Sequence, residues 1–268
     1  MQTKLRVAGL SVILAGSVYG QPVAEKTPVT PEAASASGIA KSSERAQDLP
    51  RVVHTVDSIE DLKAKIAMAA PGETIVLKNG IYTTSAAIDI ACRGTADQPV
   101  VIRAESVGEA EIAGTHGFKA SAPAEHVVIS GFKFTHAADK AGIADGTSHV
   151  RFTRNVFLCT GEGHYLSVAG DDAQIDYNEF GPKKSPGVMI AVSGTGSQVA
   201  RRLWMHHNYF HDFETDGSNG AEMIRFGLLS SHRLSNGAGV VEHNLFARCR
   251  GVSDMISNRC SGMTYRYN

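Results

Sequence analysis

Asn155-Val156-Phe157, Asn178-Glu179-Phe180, Asn208-Tyr209-Phe210 and Asn244-Leu245-Phe246 repeat one signature. The asparagines are spaced by 23, 30 and 36 residues, and Asn268 follows after another 24. Phe134 carries the Phe series back by a further 23 residues, with Phe132 where the Asn would stand. A base period near 23 residues that tolerates insertions is the mark of a solenoid, in which stacked coils together bury a core that no single coil can bury. A short strand-like segment precedes each Asn: His149-Val150-Arg151-Phe152, Ala173 to Tyr177, Arg202-Leu203-Trp204-Met205 and Val240-Val241-Glu242. Similar segments occur at Thr74–Leu77, Val100–Ile102, Ala110–Ala113, His126–Ile129 and Met263–Tyr265, with no clear ten-residue helical pattern between them, which argues against βαβ units. The alternative, a β-sandwich with regularly spaced turns, does not ordinarily repeat an Asn-x-Phe signature. The expected fold is therefore all-β, a right-handed parallel β-helix. Its Phe side chains stack inside, and its Asn side chains occupy a turn where they accept left-handed backbone and bond their copies up the ladder.

One helix is expected ahead of the strands. Ser58 is a good N-cap with Asp61 at N3, Leu62, Ile66 and Ala69-Ala70 make an apolar stripe, and Pro71-Gly72 ends it. Such a helix would cap the open sheet edge at the start of the solenoid. Further upstream, Lys4 and Arg6 precede an apolar run from Val7 to Val18 followed by small residues, which reads as an export signal over residues 1–20. The run is short of the ~20 apolar residues that span a bilayer. Residues 21–53, rich in Pro, Ala, Ser, Glu and Lys, read as a flexible linker. The ordered domain is then 54–268, expected to be incomplete at its C-terminus, and the mature protein is expected to be a soluble monomer, secreted or periplasmic.

The 268 residues carry 26 Lys+Arg against 27 Asp+Glu, a net charge of −1, which excludes a globally basic nucleic-acid binder and an acidic disordered chain. The 27 Gly and single Trp suit a turn-rich β protein. Four Cys make no disulfide scaffold, and the pairing of Cys249 with Cys260 stays open. No Gly-x-Ser-x-Gly elbow and no phosphate-binding Gly loop occurs.

Insertions in solenoids gather on one face and carry sites, so the two longest intervals, 181–201 and 211–239, direct attention to the region around Asn208. His206, His207 and His211 lie there, but strand neighbours point to opposite faces and three His at this spacing do not converge on a metal. Asn219-Gly220-Ala221-Glu222-Met223-Ile224-Arg225-Phe226-Gly227 puts an amide, a carboxylate and a guanidinium within seven residues, and its plain alternative is an Asx turn beside a surface ion pair. One coil on comes Asp254-Met255-Ile256-Ser257-Asn258-Arg259. Asp171-Asp172 is the only adjacent pair of Asp, and on a turn it reads as solvated rather than as a hydrolase carboxylate pair. From Arg201 onward there are 8 Lys+Arg, 6 Asp+Glu and 5 of the 11 His, a mildly basic balance that suits an anionic chain lying in a groove.

From Val56 to Asn268 the sequence resembles the family-six polysaccharide lyases, the alginate lyase and chondroitin B lyase family. The resemblance is carried by Pro71 to Ile75, Gly80-Ile81-Tyr82, Gly163-His164-Tyr165-Leu166, Phe180-Gly181-Pro182-Lys183 leading to Gly187, Asn219 to Gly227, Val241 to Phe246, and Ile256-Ser257-Asn258. It implies a right-handed parallel β-helix that cleaves an anionic uronate polysaccharide, poly-mannuronate-type alginate first among them, by calcium-assisted β-elimination. By the same resemblance Asn219 and Asp254 are calcium ligands, Glu222, Arg225, Lys183 and His164 bind substrate, and Arg259 stands at the position of the catalytic base, a Lys in the family. The family pattern Gly-Glu-x-Glu-Ile-Ile-Ser-Asn-Lys reads here Gly251-Val252-Ser253-Asp254-Met255-Ile256-Ser257-Asn258-Arg259, so one calcium ligand has become Val252 and the base an Arg. A guanidinium with a pKa above ~12 is a poor base, so a β-helix that binds acidic polysaccharide without cutting it is the second reading.

Overall fold

The computed structural model describes residues 52–215, 220–250 and 254–268. The expected export signal and nearly all of the expected linker lie outside the described residues. The linker's last residue, Val53, opens the first strand, Val53–Val56, which pairs in parallel with Thr74–Leu77.

The chain winds into a right-handed parallel β-helix with three sheets. Among the described residues one sheet has nine strands, from Val53–Val56 to Thr264–Arg266, and takes in the strand segments that precede each Asn. Two others have seven strands each. The first of these, the Phe sheet, contains Phe132–Phe134, Val156–Phe157, Glu179–Phe180, Tyr209–His211 and Leu245–Ala247. The other, called here the site sheet, contains Gly142–Ile143, Leu166–Val168, Ile190–Val192, Ile224–Phe226 and Ile256–Asn258. A short antiparallel hairpin, Gly194–Thr195 with Gln198–Val199, projects from the 181–201 insertion.

The helix α1, Ile59–Met68, forms where the sequence places it. Ser58 Oγ accepts the Asp61 N–H at 3.0 Å, and Leu62 and Ile66 are buried. Its apolar face packs into the cluster that holds Ile75, Leu77, Ile88 and Ile90, so it closes the first coil. Inside the solenoid the Phe column is continuous: Phe134, Phe157, Phe180, Phe210 and Phe246 stack with centroids 4.8, 4.6, 4.9 and 5.0 Å apart.

The Asn column forms as well, with one change. Asn178 Oδ1 accepts both the backbone N–H and the side-chain amide of Asn155, at 2.9 and 3.1 Å. The same pair of bonds links Asn178 to Asn208, Asn208 to Asn244 and Asn244 to Asn268. The left-handed residue, however, is the one before each Asn: Arg154, Tyr177, His207, His243 and Tyr267 all have φ between 53° and 58°. The left-handed residue makes the corner, while the Asn that follows faces inward, where its amide completes the buried hydrogen bonds.

Candidate functional site

Register assembles the site. Leu166, Ile190, Ile224 and Ile256 are partners on successive strands of the site sheet. Two residues upstream of each stand His164, Val188, Glu222 and Asp254, and the Asp139 N–H donates to His164 O at 2.8 Å, which adds Asp139 to the same column. One residue downstream runs a second column, Ser167, Ala191, Arg225 and Ser257. Residues as far apart in sequence as His164 and Asp254 are thereby ranked in one column at the spacing of strands, about 4.8 Å per step.

Glu222 and Arg225 form a buried ion pair, not the surface pair that the sequence allowed. Glu222 is 3% exposed, and both of its oxygens lie 2.5 Å from Arg225 Nη2. Arg225 Nε is also buried and has no hydrogen-bond partner among the described residues. Among the described residues the pairing runs through Nη2, and a planar fork of this kind suits a carboxylate.

His164 is half-buried and held twice by one oxygen: Asp139 Oδ1 accepts its backbone N–H at 2.7 Å and lies 2.9 Å from its Nδ1. Gly163 permits this approach, since a Cβ there would sit 2.0 Å from the Asp139 carboxylate. Burial lowers the pKa of His164, the nearby Arg225 and Lys183 lower it further, and Asp139 opposes them. Asp139 carried no sequence motif. The signal that could have found it is the period, one coil back from His164. A cavity of about 660 Å³ opens on this outer face, lined in part by His116, Lys119, Asp139, Ser167 and Ser193.

Lys183, expected to touch substrate, is buried instead. Its Nζ donates to Ser185 Oγ at 2.9 Å and lies 4.8 Å from the Tyr165 ring centroid, and burial pushes the ammonium pKa down. Its charge reaches His164 through space rather than by contact, and lowers that imidazole's pKa. Asp254 and Arg259 are exposed, and Arg259 Nη1 reaches Leu228 O at 3.4 Å.

Asn219 lies outside the described residues, as does Val252. Of the implied calcium ligands Asp254 alone is placed, and no group of three or more His, Cys, Asp or Glu among the described residues is arranged to hold a metal. Calcium takes six to eight oxygens. The described donors do not supply such a set, and Val252 adds no side-chain oxygen.

The structure answers the other expectations one by one. His206 and His207 do meet, with Nδ1 atoms 2.9 Å apart, because the left-handed backbone at His207 turns its ring back over the corner. His211 stays apart, between Asp212 and Glu179. Asp171 and Asp172 stay partly exposed, but each is paired: Arg201 and Arg202 clasp them at 2.5 and 2.6 Å, which removes them as a hydrolytic pair. All four cysteines are free.

A right-handed β-helix with ionisable groups ranked along one sheet and a cavity beside them defines the class, a parallel β-helix solenoid. A family model for Chondroitinase B matches residues 56–268, and the chain belongs to that family, which places it with polysaccharide lyase family 6. Among solved structures it is similar to the PL6 family alginate lyase AlyGC, with 25% identity, a TM-score of 0.69, and coverage of 78% of this chain and 30% of that one. It is also similar to a mannuronic acid specific family 6 lyase from human gut microbiota, with 26% identity, a TM-score of 0.66, and coverage of 78% and 52%. The chain thus spans about a third to a half of the length of these relatives. No match was found among curated protein sequences.

Proposed function

We propose that this chain carries the substrate-binding face of a lyase that cleaves an anionic uronate polysaccharide, alginate of the poly-mannuronate type, by β-elimination. The observation that carries the reading is the column of His164, Glu222 and Asp254 beside Arg225 on the site sheet. Its likeness to a mannuronic acid specific relative supports the choice of polymer. In β-elimination the proton on C5 of a uronate is removed and the bond from C4 to the glycosidic oxygen breaks. The acidity of that proton depends on neutralising the adjacent carboxylate. Arg225, anchored by Glu222, is the group assigned to that carboxylate, and His164 lies in the column of Glu222. Lys183 contributes positive potential through space, not contact.

Asn219 and Asp254 are the positions that would offer oxygens to calcium, which as a Lewis acid would add to the neutralisation of the carboxylate. With Val252 between them the site is expected to hold calcium weakly, and no step here depends on it. Arg259 stands at the base position, where its guanidinium stays protonated. That favours a second reading, a protein that binds acidic polysaccharide without cutting it. No helix among the described residues is long and apolar enough to cross a membrane. The export signal read at residues 1–20 supports a protein that acts outside the cytoplasm, and a monomer is the state expected of it.

The test is ultraviolet absorbance of C4=C5 unsaturated ends when the full chain meets poly-mannuronate, poly-guluronate or dermatan sulfate, with calcium and with a chelator. A rise on poly-mannuronate that survives the chelator supports the reading. A flat trace from folded protein that still binds the polymer selects the binding-only alternative.

A further inference from the structure

We propose that His164, oriented by Asp139, is the proton-abstracting base of this chain, taking the place that Arg259 cannot fill. The inference rests on the lyase reading above. Three groups in or near the site column are candidates for the base. Arg259 is exposed but holds its proton at any ordinary pH. Lys183 is 1% exposed, and its ammonium is spent on Ser185 Oγ and the Tyr165 ring, so it cannot reach a substrate carbon. His164 remains: it is partly open to solvent, adjoins the cavity through Asp139, and stands in register with Glu222.

The geometry of the pair is that of an oriented base. Asp139 Oδ1 at 2.9 Å fixes the proton on Nδ1, which leaves Nε2 as the free lone pair. No hydrogen bond to Nε2 occurs among the described residues. The second bond from the same oxygen, to the His164 backbone N–H at 2.7 Å, locks the loop that carries the ring, and Gly163 supplies the space. The charged groups facing His164 are Asp139 from the preceding coil, Lys183 from the loop after Phe180, and Arg225 from two strands up. Burial and the two cations keep the imidazole neutral above its ordinary value of 6.5, as a base must be.

The step balances without a co-reactant. The C5–H bond breaks and its proton passes to Nε2. The electron pair becomes the C4=C5 double bond as the bond from C4 to oxygen breaks. The departing oxygen takes the proton back from the imidazolium, and Arg225 holds the carboxylate throughout.

The experiment is a pH–rate profile on poly-mannuronate for the full chain and for His164→Ala, His164→Gln, Asp139→Asn and the control His149→Ala, a stacked surface His of the nine-stranded sheet. A neutral His base gives activity that is complete at neutral pH and falls through an acid limb below pH 6.5. His164→Ala and His164→Gln should lose about 10²–10⁴-fold in kcat, with folding checked by circular dichroism, and added imidazole should partly restore His164→Ala. Asp139→Asn removes the charge that raises the His164 pKa, so the acid limb should move lower while kcat falls and KM holds. Undiminished turnover in His164→Ala, or a limb only at alkaline pH, would overturn the assignment and leave the lyase reading standing. Absence of turnover by the unaltered chain on every uronate polymer would overturn both.

Discussion

At the scale of the residue, the decisive pair is Glu222 with Arg225. A buried ion pair is weak evidence of stability, because the cost of removing both charges from water offsets their attraction. Breaking it is another matter. Glu222→Ala leaves the Arg225 guanidinium buried beside an Nε that already has no partner, and about 3–5 kcal/mol of stability should be lost. Replacing both, Glu222→Leu with Arg225→Met, should restore most of that loss, since similar volumes pack without charge. Urea unfolding of the three proteins checks this. If the double variant is as unstable as Glu222→Ala, the loss lies in packing rather than in the stranded charge. Neither variant should bind a uronate polymer as the unaltered chain does, because the pair earns its place by presenting Arg225 rather than by stabilising the fold.

At the scale of the element, the Asn column is the clearest case of sequence setting structure. Asn208 accepts from Asn178 twice and donates to Ile175 O and to Asn244 Oδ1, all within the core. Asn208→Ala strands the backbone N–H and amide of Asn178 and the carbonyl of Ile175, at about 1–3 kcal/mol for each group that water cannot reach. The midpoint of denaturation should fall well below that of an exposed control such as Glu60→Ala. An unchanged midpoint would mean that water replaces the amide. This column, the Phe column and the nine-stranded sheet were readable because each repeats a residue type with one physical duty. The left-handed corner was not, because Arg, Tyr and His share it: Arg154, Tyr177, His207, His243 and Tyr267 stack face on face up the outside, a duty that no single residue type marks in the sequence. The site sheet was harder still. Gly142–Ile143 and its neighbours are two or three residues long, too short for a period to declare itself, and their register depends on loops of unequal length. Asp139 and the burial of Lys183 could be seen only once those strands were stacked. Glu222 and Arg225 could be picked out as chemistry, but not as a buried pair.

At the scale of the whole molecule, each coil touches only its neighbours, so the stability of the solenoid is a sum of coils and of the contacts between them. Phe180 is fully buried between Phe157 and Phe210, whereas Phe246 is half-buried and stacks on Phe210 from one side. Phe180→Ala should therefore cost about 3–5 kcal/mol, and Phe246→Ala clearly less. The more telling outcome is spatial. Amide hydrogen exchange in Phe180→Ala should rise in the strands Val156–Phe157, Ile190–Val192 and Tyr209–His211, while Ile59–Met68 and the first coils keep their protection. A uniform rise across the chain would show instead that the coils unfold as one cooperative unit. Ile190–Val192 belongs to the coil of Phe180 and carries Val188 and Ala191, which lie between His164 and Glu222 and between Ser167 and Arg225. A defect at Phe180 thus loosens the one strand that keeps the His164 coil in register with the Arg225 coil. Binding of a uronate polymer should fall further in Phe180→Ala than in Phe246→Ala even when both are compared under conditions where they remain folded.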